Sequence, residues 1–526
     1  MKQTRKKLPV DLASFEKMRT ENYLYVDKTQ HIYRMATEGT FYFLARPRRF
    51  GKSLLVSTLT SLFRGRKELF DGLWIAEQSD WDWQPHPVIV LDFNSISGGK
   101  PEELKQELSY RLNNTAQQFG VSLEAPGIES RFEELILKLF EMSGKAVVIL
   151  IDEYDKRIID HLGRGTERME IAKANRDMLK SFFGVLKGQA VLDKLRFVFL
   201  TGVSRFSKVS LFSELNNLRD ISMLESYADM LGYTQQELET CFTAEIAELA
   251  QKYGVSVSEC LARLAREYNG YRFSKQPLRV YNPFSVLNAL NERDFRDYWF
   301  ESGTPTFLVE TLKEQRYHLP AIEGMQVSPA VFSAFELEHL RPEALLFQTG
   351  YLTITDVQEG IYTLDYPNQE VKHALAEALL LDVSETRNVA ISSLVLRLPG
   401  YLQREDFAAF FEAVRAIFAS IPYDIQSQRD EAYYHTIFYL LISASGITAQ
   451  SSVLTCDGRI DMIVAAAETI YIIEFKCNQS ADAALRQMRS NRYANRFQGG
   501  GKALRLMGIN FNTDTRNVEE WKLEPV

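Results

Sequence analysis

The segment Ala45-Arg-Pro-Arg-Arg-Phe-Gly-Lys-Ser53 decides how the first half of the chain is read. It follows a short apolar run, Phe41–Ala45, and precedes a helical stretch from Lys52 to Phe63. Strand, basic loop and helix in that order put the free N–H groups of a helix start where they face a phosphate. In that frame Gly51-Lys52-Ser53 closes a phosphate-binding loop, with Lys52 reaching β/γ oxygens and Ser53 ligating Mg²⁺. The triplet alone also fits an ordinary helix N-terminus with Ser53 exposed. One departure stands out. The loop's usual first glycine, five positions before Gly51, is Arg46. Arginine resists positive φ, so that corner has to bend differently.

Three further apolar runs follow, Val88–Asp92, Ala146–Ile151 and Phe197–Thr201. Continuous β-branched and aromatic runs separated by helical patterns are what a parallel sheet covered on both faces requires. They predict an α/β domain over about residues 20–225. Sites in such sheets gather at the C-terminal ends of strands. The third run delivers Asp152 and Glu153 there, the first to hold magnesium through water and the second to polarise an attacking water. A surface acidic turn is the plain alternative. The fourth run ends Thr201-Gly-Val-Ser-Arg205, a hydroxyl and an arginine where a γ-phosphate sensor would lie. Three strand ends with suitable chemistry favour a nucleotide site over coincidence. Arg48, Arg49 and Arg205 could each grip a phosphate, act as a finger for a neighbouring subunit, or stand as solvated charges.

The rest of the composition sets bounds. A chain of 526 residues predicts about three domains. An apolar fraction of 45% with 25% charged residues is that of an ordinary globular protein. The 61 Lys+Arg against 69 Asp+Glu leave −8, so no global basic field marks a nucleic-acid binder, although a local basic groove is compatible with it. Cys241, Cys260, Cys456 and Cys477 are too widely spaced for a zinc pattern and predict reduced thiols in a cytoplasmic protein. The start lacks the apolar core of a signal peptide, and no run approaches the roughly 18 apolar residues of a membrane span. From about Tyr227 to Leu340 the pattern is mainly helical, as in Gln235–Lys252, Ser256–Tyr268 and Pro283–Glu292. A third region begins near Gly400, with helices Glu405–Ser420 and Arg429–Ser445, strands Ile460–Ala465 and Thr469–Lys476, a helix Ala481–Tyr493 and a strand Ala503–Ile509.

That third region holds a second constellation: Gly458-Arg-Ile-Asp461, then Ile470-Tyr-Ile-Ile-Glu-Phe-Lys476. Side chains alternate along a strand, so Glu474 and Lys476 share one face, and Asp461 meets them across a short hairpin. Two carboxylates and an ammonium on so apolar a strand are costly unless paired or bound to metal. Asp461 and Glu474 offer hard oxygen ligands for Mg²⁺, and Lys476 could position or deprotonate a water for attack on phosphorus. A strand-edge ion pair is the plainer reading. Glu431, as a further metal ligand, His435 one turn on, and Gln487 lie on flanking helices, where a polar helix surface is an equal account. The seven histidines show no metal-ligand spacing. The aromatic Tyr268–Phe273 and Tyr298–Phe300 segments read as packing.

Taken together, Tyr23–Thr29, Ala45–Ser53, Ile151-Asp-Glu-Tyr-Asp155, Thr201–Ser207, Tyr268–Phe273 and Tyr298–Pro305 resemble the divergent AAA-ATPase-like bacterial proteins. The C-terminal part resembles the PD-(D/E)XK nuclease superfamily. The likeness runs from about Tyr23 onward, and Arg-Pro-Arg-Arg-Phe-Gly-Lys-Ser is characteristic of that group. It implies a P-loop NTPase parallel-sheet domain over 1–225, a mainly helical lid or linker over 226–400, and an α/β restriction-endonuclease-like domain over 401–526. It implies Lys52, Ser53, Asp152 and Glu153 as nucleotide-site residues; the site expected around ATP takes in Arg46, Arg49, Gly51, Thr201 and Arg205 as well, with Glu153 catalytic. It implies Asp461, Glu474 and Lys476 as the nuclease core.

The expected function is an ATP-driven switch or motor coupled to a metal-dependent nuclease on DNA or RNA, DNA being favoured, with Mg²⁺ or Mn²⁺. Defence against foreign nucleic acid is a context that the resemblance suggests. A homo-oligomer is possible, because such sites often borrow an arginine. The rival is an ATP-dependent regulatory or assembly module whose nuclease-like domain binds nucleic acid or protein without cutting. The absence of an evident basic stripe favours the rival, and the completeness of the trio favours the nuclease.

Overall fold

The computed structural model describes residues 5–97, 99–163, 165–205, 218–301, 306–314, 319–332, 341–383, 389–421, 431–455, 458–466, 468–497 and 501–526. The chain divides into two compact units that interleave along the sequence. The first is Met1–Tyr298, Pro305–Thr311 and Gln326–Thr363; the second is Trp299–Thr304, Leu312–Met325 and Leu364–Val526. The helical stretch expected over 226–400 is thus shared between the units and does not stand as one body.

The first unit is built on five parallel strands, β1 Phe41–Ala45, β2 Val88–Asp92, β3 Val147–Asp152, β4 Leu195–Gly202 and β5 Arg219–Asp220. Their order is β2-β3-β4-β1-β5. Every residue of β1 and β3 is buried, which is why both read as unbroken apolar runs. The register sets Ala45 beside Gly202 and Leu44 beside Thr201, while Ile151 pairs with Leu200. The C-terminal ends of β1, β3 and β4 therefore lie side by side, in the crevice where a doubly wound sheet takes its ligand.

Helices Gln235–Cys241, Thr243–Tyr253, Val257–Tyr268 and Pro283–Glu292 form a second core in this unit around Leu238, Phe242, Leu249, Leu264 and Val286. The sequence reads the first two as one helix. The structure interrupts it at Phe242, with Thr234 and Ser256 closing capping boxes at the N-termini of the first and third helices.

The second unit carries a mixed sheet of β9 Thr448–Thr455, β10 Gly458–Ala465, β11 Thr469–Cys477, β12 Ala503–Asn512 and β13 Asn517–Pro525. Its order is β13-β12-β11-β10-β9, with β11 and β12 parallel and the other neighbours antiparallel. One face packs the Ala481–Ser490 helix through Leu485 and Met488 onto Ile460, Ile472 and Leu506. The other packs the Glu431–Ala444 helix through Tyr434 and Phe438 onto Phe511 and Phe475. Three shorter strands, β6 Met325–Val327, β7 Thr353–Gln358 and β8 Ile361–Asp365, form a separate small sheet. Among the described residues no helix is long and apolar enough to cross a membrane. Cys241, Cys260 and Cys477 are reduced cysteines, and Cys456 lies outside the described residues.

Candidate functional sites

Gly51, at φ 90°, turns the chain into the Lys52–Phe63 helix in a conformation that favours glycine. Lys52, the first helical residue, is buried and donates from Nζ to Arg46 O at 3.1 Å and Pro47 O at 3.0 Å. Burial lowers its pKa, against the opposing pull of Glu153, Asp152 and Asp155. Ser53 hydrogen-bonds the Asp152 carboxylate. Burial raises the Asp152 pKa to about 6, with the Ser53 hydrogen bond and the Lys52 charge working the other way. Lys52, Ser53 and Asp152 thus converge at the ends of β1 and β3. Glu153 follows at φ 50°, left-handed for a non-glycine residue, its N–H on Asp152 Oδ1 at 3.0 Å. Such backbone costs on the order of 1 kcal/mol and persists where the surroundings enforce it.

Two of the expected sensor groups are engaged within the protein. Thr201 donates from Oγ1 to Leu44 O at 2.8 Å, tying β4 to the foot of the loop. Arg205 grips Asp220 with Nη2 at 2.7 Å and Nε at 3.1 Å, so its charge is already paired. Arg49, at φ 67°, reaches Asp11 at 3.1 Å and covers the Phe284 ring at 4.7 Å. Arg48 is half-buried. Residues 206 and 207 lie outside the described residues.

Arg46, expected around the nucleotide, has a different place. It is 1% exposed, donates to Ala45 O, Ser222 O and Tyr227 O at 3.0, 2.6 and 3.1 Å, and lies 4.0 Å over the Phe273 ring. Burial lowers its pKa to about 9. A guanidinium held by three carbonyls and an aromatic face has little left to offer a phosphate. It acts as a strut at the corner where the general loop has glycine. Phe50 continues the contact, edge-on to Tyr271 at 4.8 Å and Phe273 at 5.4 Å.

Asp155, to which sequence reasoning gave no role, staples β3 to β4. It is fully buried and accepts from Val203 N at 3.1 Å and from both the N–H and the hydroxyl of Ser204, at 2.6 and 2.5 Å. Gly202 is obligatory there, since a Cβ would stand 2.5 Å from Asp155 Oδ1. The only sequence signal was its place in Ile151–Asp155.

In the second unit, Asp461 sits one residue beyond the last paired couple, Met462 and Ile473, and accepts from Phe475 N at 2.9 Å. Glu474 is 2% exposed. Its Oε1 accepts from Lys476 Nζ at 3.2 Å and from the Gln487 amide, while Oε2 is buried without a hydrogen-bond partner. Burial first, then the Asp461 charge, raises the Glu474 pKa to about 8. Burial likewise raises Asp461 to about 6. Lys476 also donates to Phe475 O at 2.7 Å. The trio and Gln487 are brought together.

His435 is buried, with Nε2 3.0 Å from Ser451 Oγ and its ring 5.0 Å from Phe475. Glu431 acts on Asp461 and Glu474 as a like charge. Among the described residues no three His, Cys, Asp or Glu side chains form a metal-holding group, so Glu431 is not placed as a third ligand. A buried carboxylate oxygen without a donor, beside a second carboxylate, still fits a hard cation, since Mg²⁺ commonly takes one or two carboxylates and completes its shell with water.

Fold and geometry together define a class: a parallel-sheet phosphate-loop unit joined to a mixed-sheet unit with a carboxylate–lysine centre. Residues 9–212 match a family model described as a predicted AAA-ATPase, and residues 429–521 match the PD-(D/E)XK nuclease superfamily. The chain belongs to the divergent bacterial AAA-ATPase-like family with a C-terminal PD-(D/E)XK nuclease superfamily domain. A protein of Azotobacter chroococcum mcd 1, described as an uncharacterized protein in the vnfD 5′ region, is 39% identical over 537 residues, covering 99% of each chain.

Proposed function

We propose that the chain binds and hydrolyses ATP in its first unit and cuts phosphodiester bonds of nucleic acid, DNA before RNA, in its second. The observation that carries the nuclease reading is the buried, partnerless Glu474 Oε2, on a carboxylate whose other oxygen holds Lys476 and which feels the Asp461 charge. Asp461 and Glu474 would hold a divalent ion, Mg²⁺ or Mn²⁺, which supplies positive charge for the phosphoryl oxygens. Gln487 fixes Glu474 Oε1, the Phe475 N–H fixes Asp461, and Lys476 positions or deprotonates the attacking water. In the first unit Ser53 and Asp152 would hold Mg²⁺, Lys52 would leave its two loop carbonyls for phosphate, and Glu153 would orient water. Differential contacts to ATP and ADP would then bias the nuclease unit. A defence role, a cytoplasmic setting and a homo-oligomer lending an arginine belong to the same proposal.

A small, half-open apolar recess of about 80 Å³ beside Gly51 supports the nucleotide reading. It is lined by Leu24, Val26, Leu54, Met230 and Tyr233 among others, which suits a flat base. Leu54→Trp fills that recess and is expected to weaken binding of a fluorescent ATP analogue at least about tenfold, roughly 1.4 kcal/mol, with unchanged circular dichroism. Unaltered affinity would place the base elsewhere.

The net charge of −8 hides a basic rim. Residues 486–496 hold Arg486, Arg489, Arg492 and Arg496 with no acidic residue in the segment, and all four are exposed, with Arg489 paired to Glu524 on β13. Arg459, also exposed, shares the face of Asp461 on β10, and Tyr493 OH donates to its carbonyl at 2.8 Å. Arg459→Gln and Arg492→Gln should each lower the slope of log affinity against log salt by about 1, measured by anisotropy with Ca²⁺ in place of Mg²⁺.

The reading as a whole is tested by a cleavage survey of DNA and RNA with Mg²⁺ and Mn²⁺, with and without ATP. Cutting with neither metal would leave the regulatory module as the function.

A further inference from the structure

The second unit contains a buried charged cluster that the proposed chemistry does not use. Glu323 follows a short helical turn, Leu319–Ile322, and its side chain is 10% exposed. Its Oε1 accepts from Lys372 Nζ and from Tyr439 OH at 2.8 Å, and its Oε2 accepts from Ser451 N at 2.7 Å. Lys372, equally buried, also donates to Ala449 O. Ala449 and Ser451 lie on β9, the outer strand of the sheet. An outer strand leaves a row of unpaired N–H and C=O groups on its free edge. Here one carboxylate takes the N–H of Ser451 and one ammonium supplies the C=O of Ala449. Two bonds to residues i+1 and i−1 are what a single residue of a parallel neighbour would make. The ion pair stands in for a sixth strand.

Ser451 leads directly to the carboxylate centre. Its hydroxyl lies 3.3 Å from Asp461 O and 3.0 Å from His435 Nε2. The His435 ring rests on Phe475, whose N–H holds Asp461 Oδ2 at 2.9 Å. Asp461 is thus braced from its backbone and from its carboxylate, and both braces start at the Ser451 that Glu323 fixes.

We propose that Glu323, with Lys372, is a positioning residue of the nuclease site, acting through Ser451 on Asp461. The inference rests on the nuclease reading above. Glu323 precedes Ser451 by 128 positions and lies outside the 429–521 match, so the working nuclease unit is assembled from more of the chain than the matched domain. Groups that orient metal ligands typically change metal affinity 10–100-fold when removed.

The test uses the full chain with Mn²⁺ as the probe, titrated calorimetrically, together with cleavage and ATP turnover. Glu323→Gln is expected to bind Mn²⁺ about 10–100-fold more weakly and to cut correspondingly slower, with ATP turnover unchanged and faster amide exchange at Ser451. Loss of one member of a buried pair can prevent folding, so Ser451→Ala, which keeps the amide and removes only the hydroxyl brace, is the second variant. It should weaken Mn²⁺ about tenfold at an unchanged melting temperature. Wild-type Mn²⁺ affinity in both folded variants overturns the inference and leaves the nuclease reading intact. Failure of the unmutated chain to bind Mn²⁺ overturns the nuclease reading, and the inference falls with it.

Discussion

Lys476→Ala is expected to slow nucleic-acid cleavage by about 10²–10⁴-fold while ATP turnover stays at the unmutated rate. The range is that of a positioned proton-transfer group, and Lys476 also lends positive charge to a site with two buried carboxylates. Its ammonium is fixed by Glu474 Oε1 and Phe475 O, so it is aimed before substrate arrives. Asp461→Ala should fall in the same range for a different reason, loss of one of the two carboxylates proposed to hold the metal. The two variants part in a titration. Mn²⁺ binding should survive in Lys476→Ala and be lost in Asp461→Ala. Cleavage by both variants at the unmutated rate would remove the trio from the chemistry.

Lys52→Ala is expected to abolish measurable ATP turnover, by about 10²–10³-fold or more, and to leave Mn²⁺ binding at the other site untouched. The ammonium is the positive charge set among Glu153, Asp152 and Asp155, and without it those carboxylates would repel a triphosphate. The variant also leaves the carbonyls of Arg46 and Pro47 without their donor, which should cost roughly 1–3 kcal/mol in unfolding of the first unit. Thermal melting followed alongside turnover separates the two effects. An unchanged turnover rate would dissociate the loop from nucleotide.

Much of the fold could be read from apolar runs because burial on both faces leaves a direct trace in sequence. β1 to β4 and β10 to β12 are of that kind. β5, two residues long, carries no pattern that could reveal it. β9, Thr-Ala-Gln-Ser-Ser-Val-Leu-Thr, and β13, with Glu519, Glu520, Lys522 and Glu524, are outer strands of their sheet, and their polar residues hide them from a search for apolar runs. The convergence of Lys52, Ser53 and Asp152 was legible because each sits at a strand or helix end, where topology dictates position. The same held for Asp461, Glu474 and Lys476 through strand alternation. Arg46 was not legible. Its residue type and neighbourhood suggest phosphate, and only the positions of Ser222, Tyr227 and Phe273 reveal a buried strut. Asp155, Glu323 and Ser451 act through tertiary partners far along the chain, and no spacing rule reports such pairs.

The interleaved division of the chain has a consequence for its birth on the ribosome. Every residue of the first unit has emerged by Thr363, while the second still awaits Leu364 onward, including all five strands of its sheet. Chains made from the N-terminus tend to fold their early domains first. A translation product interrupted beyond Thr363 would therefore carry every residue of the AAA-ATPase-like unit and an unfinished nuclease-like unit, and never the reverse.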